Sequence, residues 1–284
     1  MKKKILLLTD FSKTSLNAIM YALELYKTDR CDFFVLNVFK TTYNIIEDII
    51  PPKSGEKGYD IPYQKSTDGL ERIAKIIQFK EDENPYHSFQ YITLNKPLLK
   101  GVLEIVEEKD IELVIMGTKG VTDSQTSVFG SCAVEIMEKV RNCPVLVVPN
   151  EAKQELPKEI VFPTDYKTQY KRKELTYLID IVRKCNASLK ILHATEEEKL
   201  EPNQEEHKKM LREYFDSIHH TFHTLSSATI ATALKCFVES RDSDMIAFIN
   251  RKHAFFGSVF SQPLVKKIGY KLKVPVLVLH DLKN

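Results

Sequence analysis

The sequence is short of three things, and each shortage removes a class of protein. Cysteine comes first: Cys31, Cys132, Cys143, Cys185 and Cys236 are odd in number and scattered, with no C-x-x-C. That usage excludes a disulfide framework and suits a reducing cytoplasm. Long apolar runs are also missing. Met1-Lys2-Lys3-Lys4 before Ile5-Leu6-Leu7-Leu8 resembles the opening of a signal peptide, but Asp10 closes the run too early for an h-region. No stretch approaches the ~18 apolar residues of a spanning helix, so no membrane partner is expected. Charge of one sign is lacking as well: 41 basic against 39 acidic residues leave +2, too weak a field to favour nucleic acid.

Familiar catalytic signatures are absent too. No G-x-x-x-x-G-K-[ST], G-x-S-x-G or H-E-x-x-H occurs, which speaks against P-loop, nucleophile-elbow and zincin chemistry. His219, His220 and His223 fall on a strand-like segment where 219 and 223 share a face and 220 does not. Without nearby cysteine or acidic ligands they read as strand histidines rather than a metal site.

What is present is an alternation. Strand-like segments at Lys4–Leu8, Asp32–Val38, Ser88–Leu94, Ile111–Met116 and Pro144–Val148 are separated by helix-like stretches. Leu16, Ile19, Leu23 and Tyr26 make the first helical stripe, which Ser12 or Thr14 can cap. Leu70, Ile73, Ile76 and Ile77 mark a helix over Gly69–Lys80, and Leu99, Val102, Leu103 and Val106 another over Leu98–Lys109. Pro51-Pro52, Gly55, Gly58 and Pro62 make Lys40–Thr67 a long excursion. The order β-α-β-α-β-α-β-α-β predicts a parallel, doubly wound α/β sheet.

The order then starts again after a polar linker, Glu151–Pro157. Ile160-Val161-Phe162-Pro163-Thr164-Asp165-Tyr166 echoes Ile5-Leu6-Leu7-Leu8-Thr9-Asp10-Phe11 at an offset of 155. Val274-Pro275-Val276-Leu277-Val278-Leu279 echoes Cys143-Pro144-Val145-Leu146-Val147-Val148 at an offset of 131. The 284 residues thus read as two copies of one module, over 1–150 and 158–284, the second 24 residues shorter.

One stretch carries a chemical hint. Met116-Gly117-Thr118-Lys119-Gly120 is followed by nine residues and then Gly130-Ser131, a G-x2-G-x9-G-S pattern between an apolar run and a helix-like stretch from Cys132 to Val140. Gly117 and Gly120 allow close approach of a ligand or a positive φ. Gly130-Ser131 sits where the free N–H groups of a new helix point, an anion site with Ser131 as N-cap. The pattern serves a nucleotide cradle, or a long turn that uses glycines.

These residues resemble the universal stress protein family in tandem form. The resemblance is carried by Thr9-Asp10-Phe11-Ser12, by Leu113 to Gly120, by Gly130-Ser131 and by Cys143-Pro144-Val145-Leu146-Val147-Val148-Pro149. It spans Lys4–Pro149 and repeats more weakly over Pro157–Asp281. The glycine spacing is similar to that of the family's ATP-binding branch. The resemblance implies five-stranded modules of order 3-2-1-4-5 with helices on both faces. It also implies binding of ATP, AMP or ADP, with or without Mg2+, and pairing of modules through their fifth strands. That pairing would lie within one chain, and a homodimer stays open.

Carried over position by position, Thr9 and Asp10 lie near adenine and ribose, and the backbone of Val38 reads the adenine edge. Met116, Gly117, Lys119 and Gly120 flank ribose and α-phosphate. Gly130, Ser131 and Cys132 donate to the outer phosphates. Asp10 also has a plain role in capping the turn, Ser131 as a helix cap, and Lys119 as a solvated loop lysine.

The second copy departs from the pattern. Ile249 falls at the position of Gly117, Lys252 or His253 at Gly120, and Ser261-Gln262 at Gly130-Ser131. The isoleucine is expected to obstruct a nucleotide, while Pro263 still suits a helix start. Arg251-Lys252-His253 with Phe255-Phe256 reads as a loop packing on the module interface. The resulting expectation is a cytoplasmic stress or signalling protein with one competent nucleotide site and one degenerate one. Its alternatives are a slow ATP-hydrolysing or nucleotidyl-transferring enzyme, or a ligand-free scaffold.

Overall fold

Apolar strands without polar alternation need cover on both faces. The computed structural model supplies that cover; it describes residues 2–41, 52–81, 84–118, 129–195, 199–226, 230–250 and 273–280. The first half runs β1 (Lys3–Leu8), α1 (Lys13–Leu25), β2 (Cys31–Phe39), α2 (Lys57–Glu81), β3 (His87–Asn95), α3 (Leu98–Glu108), β4 (Leu113–Gly117), α4 (Ser131–Lys139) and β5 (Val145–Val148). The second runs β6 (Glu159–Thr164), α5 (Arg172–Cys185), β7 (Ser188–Thr195), α6 (Pro202–Tyr214), β8 (His220–Ser226), α7 (Ile230–Arg241), β9 (Met245–Asn250) and β10 (Val276–His280).

The ten strands of the described residues form one sheet, ordered β3-β2-β1-β4-β5-β10-β9-β6-β7-β8. Each half is parallel within itself in the order 3-2-1-4-5, and the halves meet where β5 and β10 pair antiparallel, Leu146 opposite Leu277. The fold is therefore α/β with two doubly wound modules. Alternate strand residues feed two cores. Ile5 and Leu7 point to the face covered by α1, α2, α5 and α6. Leu6 and Leu8 point to the face covered by α3, α4 and α7.

One element is longer than its sequence signals predict. The excursion was expected to reach Thr67, yet α2 begins at Lys57 and takes in Gly58 and Pro62. Pro62 lies only a turn into the helix, so it forfeits one backbone hydrogen bond near an end rather than in the middle. Tyr59 and Tyr63 stack on each other with ring centroids 5.8 Å apart, and both meet Phe39 edge-on. Aromatic packing on the end of β2 thus holds a turn whose local propensity is poor. Residues 42–51 of the excursion lie outside the described residues.

The halves are also tied by side chains. The Tyr26 and Tyr177 hydroxyls lie 2.6 Å apart, and Lys184 pairs with Asp29. Tyr26 is buried and Tyr177 half-buried, and desolvation pushes each phenol far above the ordinary tyrosine range. We expect Tyr177→Phe to strand the buried Tyr26 hydroxyl and cost about 1–3 kcal/mol, with the Tyr26→Phe/Tyr177→Phe double variant recovering most of it. Urea unfolding measures both; a double variant worse than either single change would mean that the pair is not the linkage described here.

Candidate functional site

In an open parallel sheet ligands sit beyond the carboxyl ends of the strands, so the ends of β1, β2 and β4 decide what can bind. β1 leads into a turn fixed by its own side chains. The Phe11 N–H donates to Thr9 Oγ1 at 3.0 Å, and the Ser12 N–H to Asp10 Oδ1 at 3.1 Å. Phe11 sits at φ 66°, a conformation that bulky residues adopt only when their surroundings impose it. Ser12 then caps α1, accepting from the Ser15 N–H at 3.1 Å, while the Ser15 and Thr9 hydroxyls meet at 3.1 Å. The Asn37 side chain reaches from β2 to donate to the Thr9 carbonyl at 2.7 Å.

Within this frame Asp10 is exposed at the mouth, and its carboxylate also fixes the turn. The ladder between β1 and β2 stops at Leu8 opposite Leu36, whereas β2 stays paired with β3 as far as Phe39. Val38 therefore lies past the end of β1, where its backbone can face a ligand edge. Its side chain packs toward Gly101 of α3. Met116 is buried in the core on the α3 and α4 face and can offer a ligand little beyond its backbone.

Gly117 has a different reason for being glycine than the sequence suggests. Its backbone is extended, and among the described residues only Gly55 of the glycines has a positive φ. A Cβ at Gly117 would lie 2.9 Å from Thr14 Cγ2, 3.0 Å from the Thr14 carbonyl carbon and 3.1 Å from the Ser15 nitrogen. The close approach is thus to the first turn of α1. In the second half α5 starts at Arg172, about one turn later than the offset of 155 predicts. Ile249 joins the core on the α5 face, 5% exposed. Its side chain packs into that core.

Beyond Gly117 the loop is anchored at both described ends. The Thr118 N–H donates to the Val148 carbonyl at 3.2 Å, and the Gly130 N–H to the Thr118 carbonyl at 2.8 Å. Lys119 and Gly120 lie outside the described residues, as do Lys252, His253, Phe255, Phe256, Ser261, Gln262 and Pro263. The N-cap of α4 is Gly130, with φ −68° and ψ 160° and no side-chain cap, so Ser131 is the first helical residue and not the cap. Glycine can take the cap's extended backbone but supplies no acceptor for the N–H groups of the first turn. Ser131 and Cys132 are exposed on that turn. Residues 9, 10, 38, 117, 130, 131 and 132 thus lie at the carboxyl-terminal ends of β1, β2 and β4 and at the start of α4.

The second half repeats the turn with other side chains. The Tyr166 N–H donates to Thr164 Oγ1 at 3.0 Å and the Lys167 N–H to Asp165 Oδ1 at 2.9 Å, with Tyr166 at φ 56°. Here His193 takes the part of Asn37, its Nδ1 lying 2.9 Å from the Thr164 carbonyl. Sequence reasoning passed over Asn37 and His193. The signal was a polar residue inside an apolar strand run. His219, His220 and His223 bond separately, to Ser188 Oγ, the Ile218 carbonyl and Thr221 Oγ1.

The packing of Gly117 is directly testable. Gly117→Ala should cost about 1–3 kcal/mol by forcing the first turn of α1 off β4. Chemical denaturation gives the value; a cost below about 0.5 kcal/mol, the range of neutral surface changes, would return the glycine to a purely ligand-facing role.

Comparison with known proteins places these features in a family. The family model described as "Universal stress protein family" matches residues 1–149. A universal stress protein of Methanocaldococcus jannaschii is 27% identical over 161 residues, 54% of this chain and 85% of that one. The crystal structure of a universal stress protein from Archaeoglobus fulgidus superposes with TM-score 0.67 at 16% identity, covering 97% of this chain and 95% of that one. A putative universal stress protein from Pseudomonas aeruginosa gives 0.59 at 12%, covering 98% and 93%. Identities this low in the two structures speak for the fold alone. Since the family model spans more than half of its residues, this chain belongs to the universal stress protein family.

Proposed function

We propose that the first half, residues 1–150, binds an adenine nucleotide, ATP or its AMP or ADP relatives, at the mouth formed by β1, β2, β4 and the start of α4. The observation that carries the reading is the start of α4. It has a glycine cap without a side-chain acceptor, and its first turn is anchored beside the end of β4. Such a turn presents N–H donors and the positive end of the helix dipole to an anion. Gly130, Ser131 and Cys132 would take the outer phosphates, and Lys119 and Gly120, which lie outside the described residues, keep the ribose and α-phosphate role that the resemblance implies. Asp10 and the Val38 backbone would take ribose and adenine, with Thr9, Met116 and Gly117 shaping the floor.

The second half, residues 158–284, serves in this reading mainly as the pairing partner along β5 and β10, in a cytoplasmic stress or signalling protein. Turnover is expected to be slow. Asp10 sits at the adenosine end and its carboxylate already holds the turn, so it is badly placed as a base beside the terminal phosphate. A bound Mg2+ would neutralise phosphate charge while keeping several of its waters.

Cys132 offers a reporter at the phosphate end. Cys132 and Cys236 are exposed, whereas burial raises the Cys31 and Cys143 thiols to about 12 and that of Cys185 to about 11. A thiol reagent at pH 8 should therefore label Cys132 and Cys236 first. Saturating ATP should slow labelling of Cys132 about tenfold and leave Cys236 unchanged. Ser131→Glu keeps a residue favourable to the helix start yet sets a carboxylate against phosphate, and should weaken binding at least about tenfold in calorimetry. Equal ATP affinity in Ser131→Glu and wild type, with Cys132 unprotected, would remove this site.

A further inference from the structure

The second half holds a cavity that the nucleotide reading does not use. It has a volume of about 390 Å3 and lies between the carboxyl-terminal ends of β7 and β8 and the start of α6, lined by His193, Thr195, Lys199, Glu205, Lys208 and Thr224. That volume falls in the range of small-molecule sites, about 300–1,000 Å3. It sits over β7 and β8, the counterparts of β2 and β3, and so shares only the β2 counterpart with the strands β1, β2 and β4 that frame the nucleotide mouth in the other half.

His193 is the group that asks for a ligand. It is 3% exposed, and its Nδ1 lies 2.9 Å from the Thr164 carbonyl. A carbonyl only accepts, so Nδ1 carries the proton, and Nε2 of the neutral ring is left as an acceptor. Nε2 is buried with no hydrogen-bond partner among the described residues. The ring is held on both sides. It packs against Tyr166 with centroids 4.8 Å apart and planes tilted by 32°, and the backbone of that turn is itself held by Gln204 on the Asp165 carbonyl at 2.8 Å and His207 on the Tyr166 carbonyl at 2.7 Å. The first half closes the same clamp with Asn37, whose amide donates to Thr9 at 2.7 Å. Histidine keeps the clamp and adds a second nitrogen.

The charge around the cavity completes the chemistry. Lys199 and Lys208 face one carboxylate, Glu205, and neither ammonium forms an ion pair among the described residues. The cavity thus combines two cations with a buried acceptor that needs an O–H or N–H donor. We propose that it binds a phosphate monoester of a polyol, of sugar-phosphate size. The phosphate sits between Lys199 and Lys208, and a ligand hydroxyl donates to His193 Nε2. The two threonines add hydroxyls on the β7 and β8 side. This assignment is independent of nucleotide binding in the first half.

The test uses the full chain, labelled with 15N, and follows the imidazole nitrogens of His193 by long-range proton–nitrogen correlation. Ribose 5-phosphate should shift Nε2 saturably, ribose without phosphate should not, and inorganic phosphate should bind at least about tenfold more weakly for want of the hydroxyl. Lys208→Ala should weaken the ester about tenfold, whereas Glu205→Gln should strengthen it about two- to threefold by removing a like charge. His193→Asn, the first half's solution, should leave thermal unfolding close to wild type and abolish the advantage of ribose 5-phosphate over inorganic phosphate. Cys132 labelling should not respond to ribose 5-phosphate, which separates this site from the nucleotide mouth. An Nε2 signal unmoved by ribose 5-phosphate, equal affinity for inorganic phosphate, or tighter binding in Lys208→Ala would each overturn the assignment.

Discussion

Backbone pairing between β5 and β10 is the contact on which the rest of the architecture depends. Val145, Leu146, Val147 and Val148 are wholly buried. In a single module this strand would be a bare apolar edge, an open template for association. Here Val145, Leu146 and Val147 lie opposite Val278, Leu277 and Val276, and the two sheets become one. Because that junction is antiparallel, the two parallel sets of strands point in opposite directions, and their carboxyl ends open at opposite ends of the sheet. Asn250, at the end of β9, consequently meets the far end of α4 and donates to the Met137 carbonyl at 2.9 Å. Arg141 returns a contact to the Asn250 carbonyl at 3.4 Å.

At each mouth the same turn recurs, Thr-Asp-aromatic, with the aromatic residue at φ 66° in one half and 56° in the other. A bulky residue there costs energy, and in both halves a threonine hydroxyl and an aspartate carboxylate hold the backbone in place. The turn persists in the half whose glycine pattern is lost. Its first duty is therefore to redirect the chain from strand to helix, and any ligand contact at Asp10 is added to that duty. What differs between the halves is how the neighbouring space is spent. In the first half Gly117 lets α1 begin immediately beside β4. In the second, α5 starts later, Ile249 enters the core, and Tyr170 reaches back so that its hydroxyl lies 2.6 Å from that of Thr164.

Much of this was legible in one dimension. Strands buried on both faces write themselves as unbroken apolar runs such as Ile5–Leu8 and Val145–Val148, and the helices between them show clean stripes. The duplicated Thr-Asp-aromatic and Pro-Val-Leu-Val segments carry the repeat. The start of α2 was not legible. Gly58 and Pro62 are local signals for irregular structure, and they are overruled by Tyr59 and Tyr63 packing on Phe39, a contact made by residues about 20 apart in sequence. The cap of α4 was misread because serine is the commoner choice, whereas here Gly130 holds the position and donates to the Thr118 carbonyl.

The sequence by itself determined the alternation, the duplication and the family, since periodicity and local motifs depend on neighbours along the chain. Only the tertiary structure decided what Gly117 is for, where Ile249 goes and which nitrogen of His193 is left over. Each of those depends on atoms brought together from distant segments: Gly117 on Thr14 and Ser15, Ile249 on a helix that starts a turn late, His193 on a carbonyl 29 residues away. Spacing can tell which residues recur, but the space around a side chain exists only once the strands are side by side.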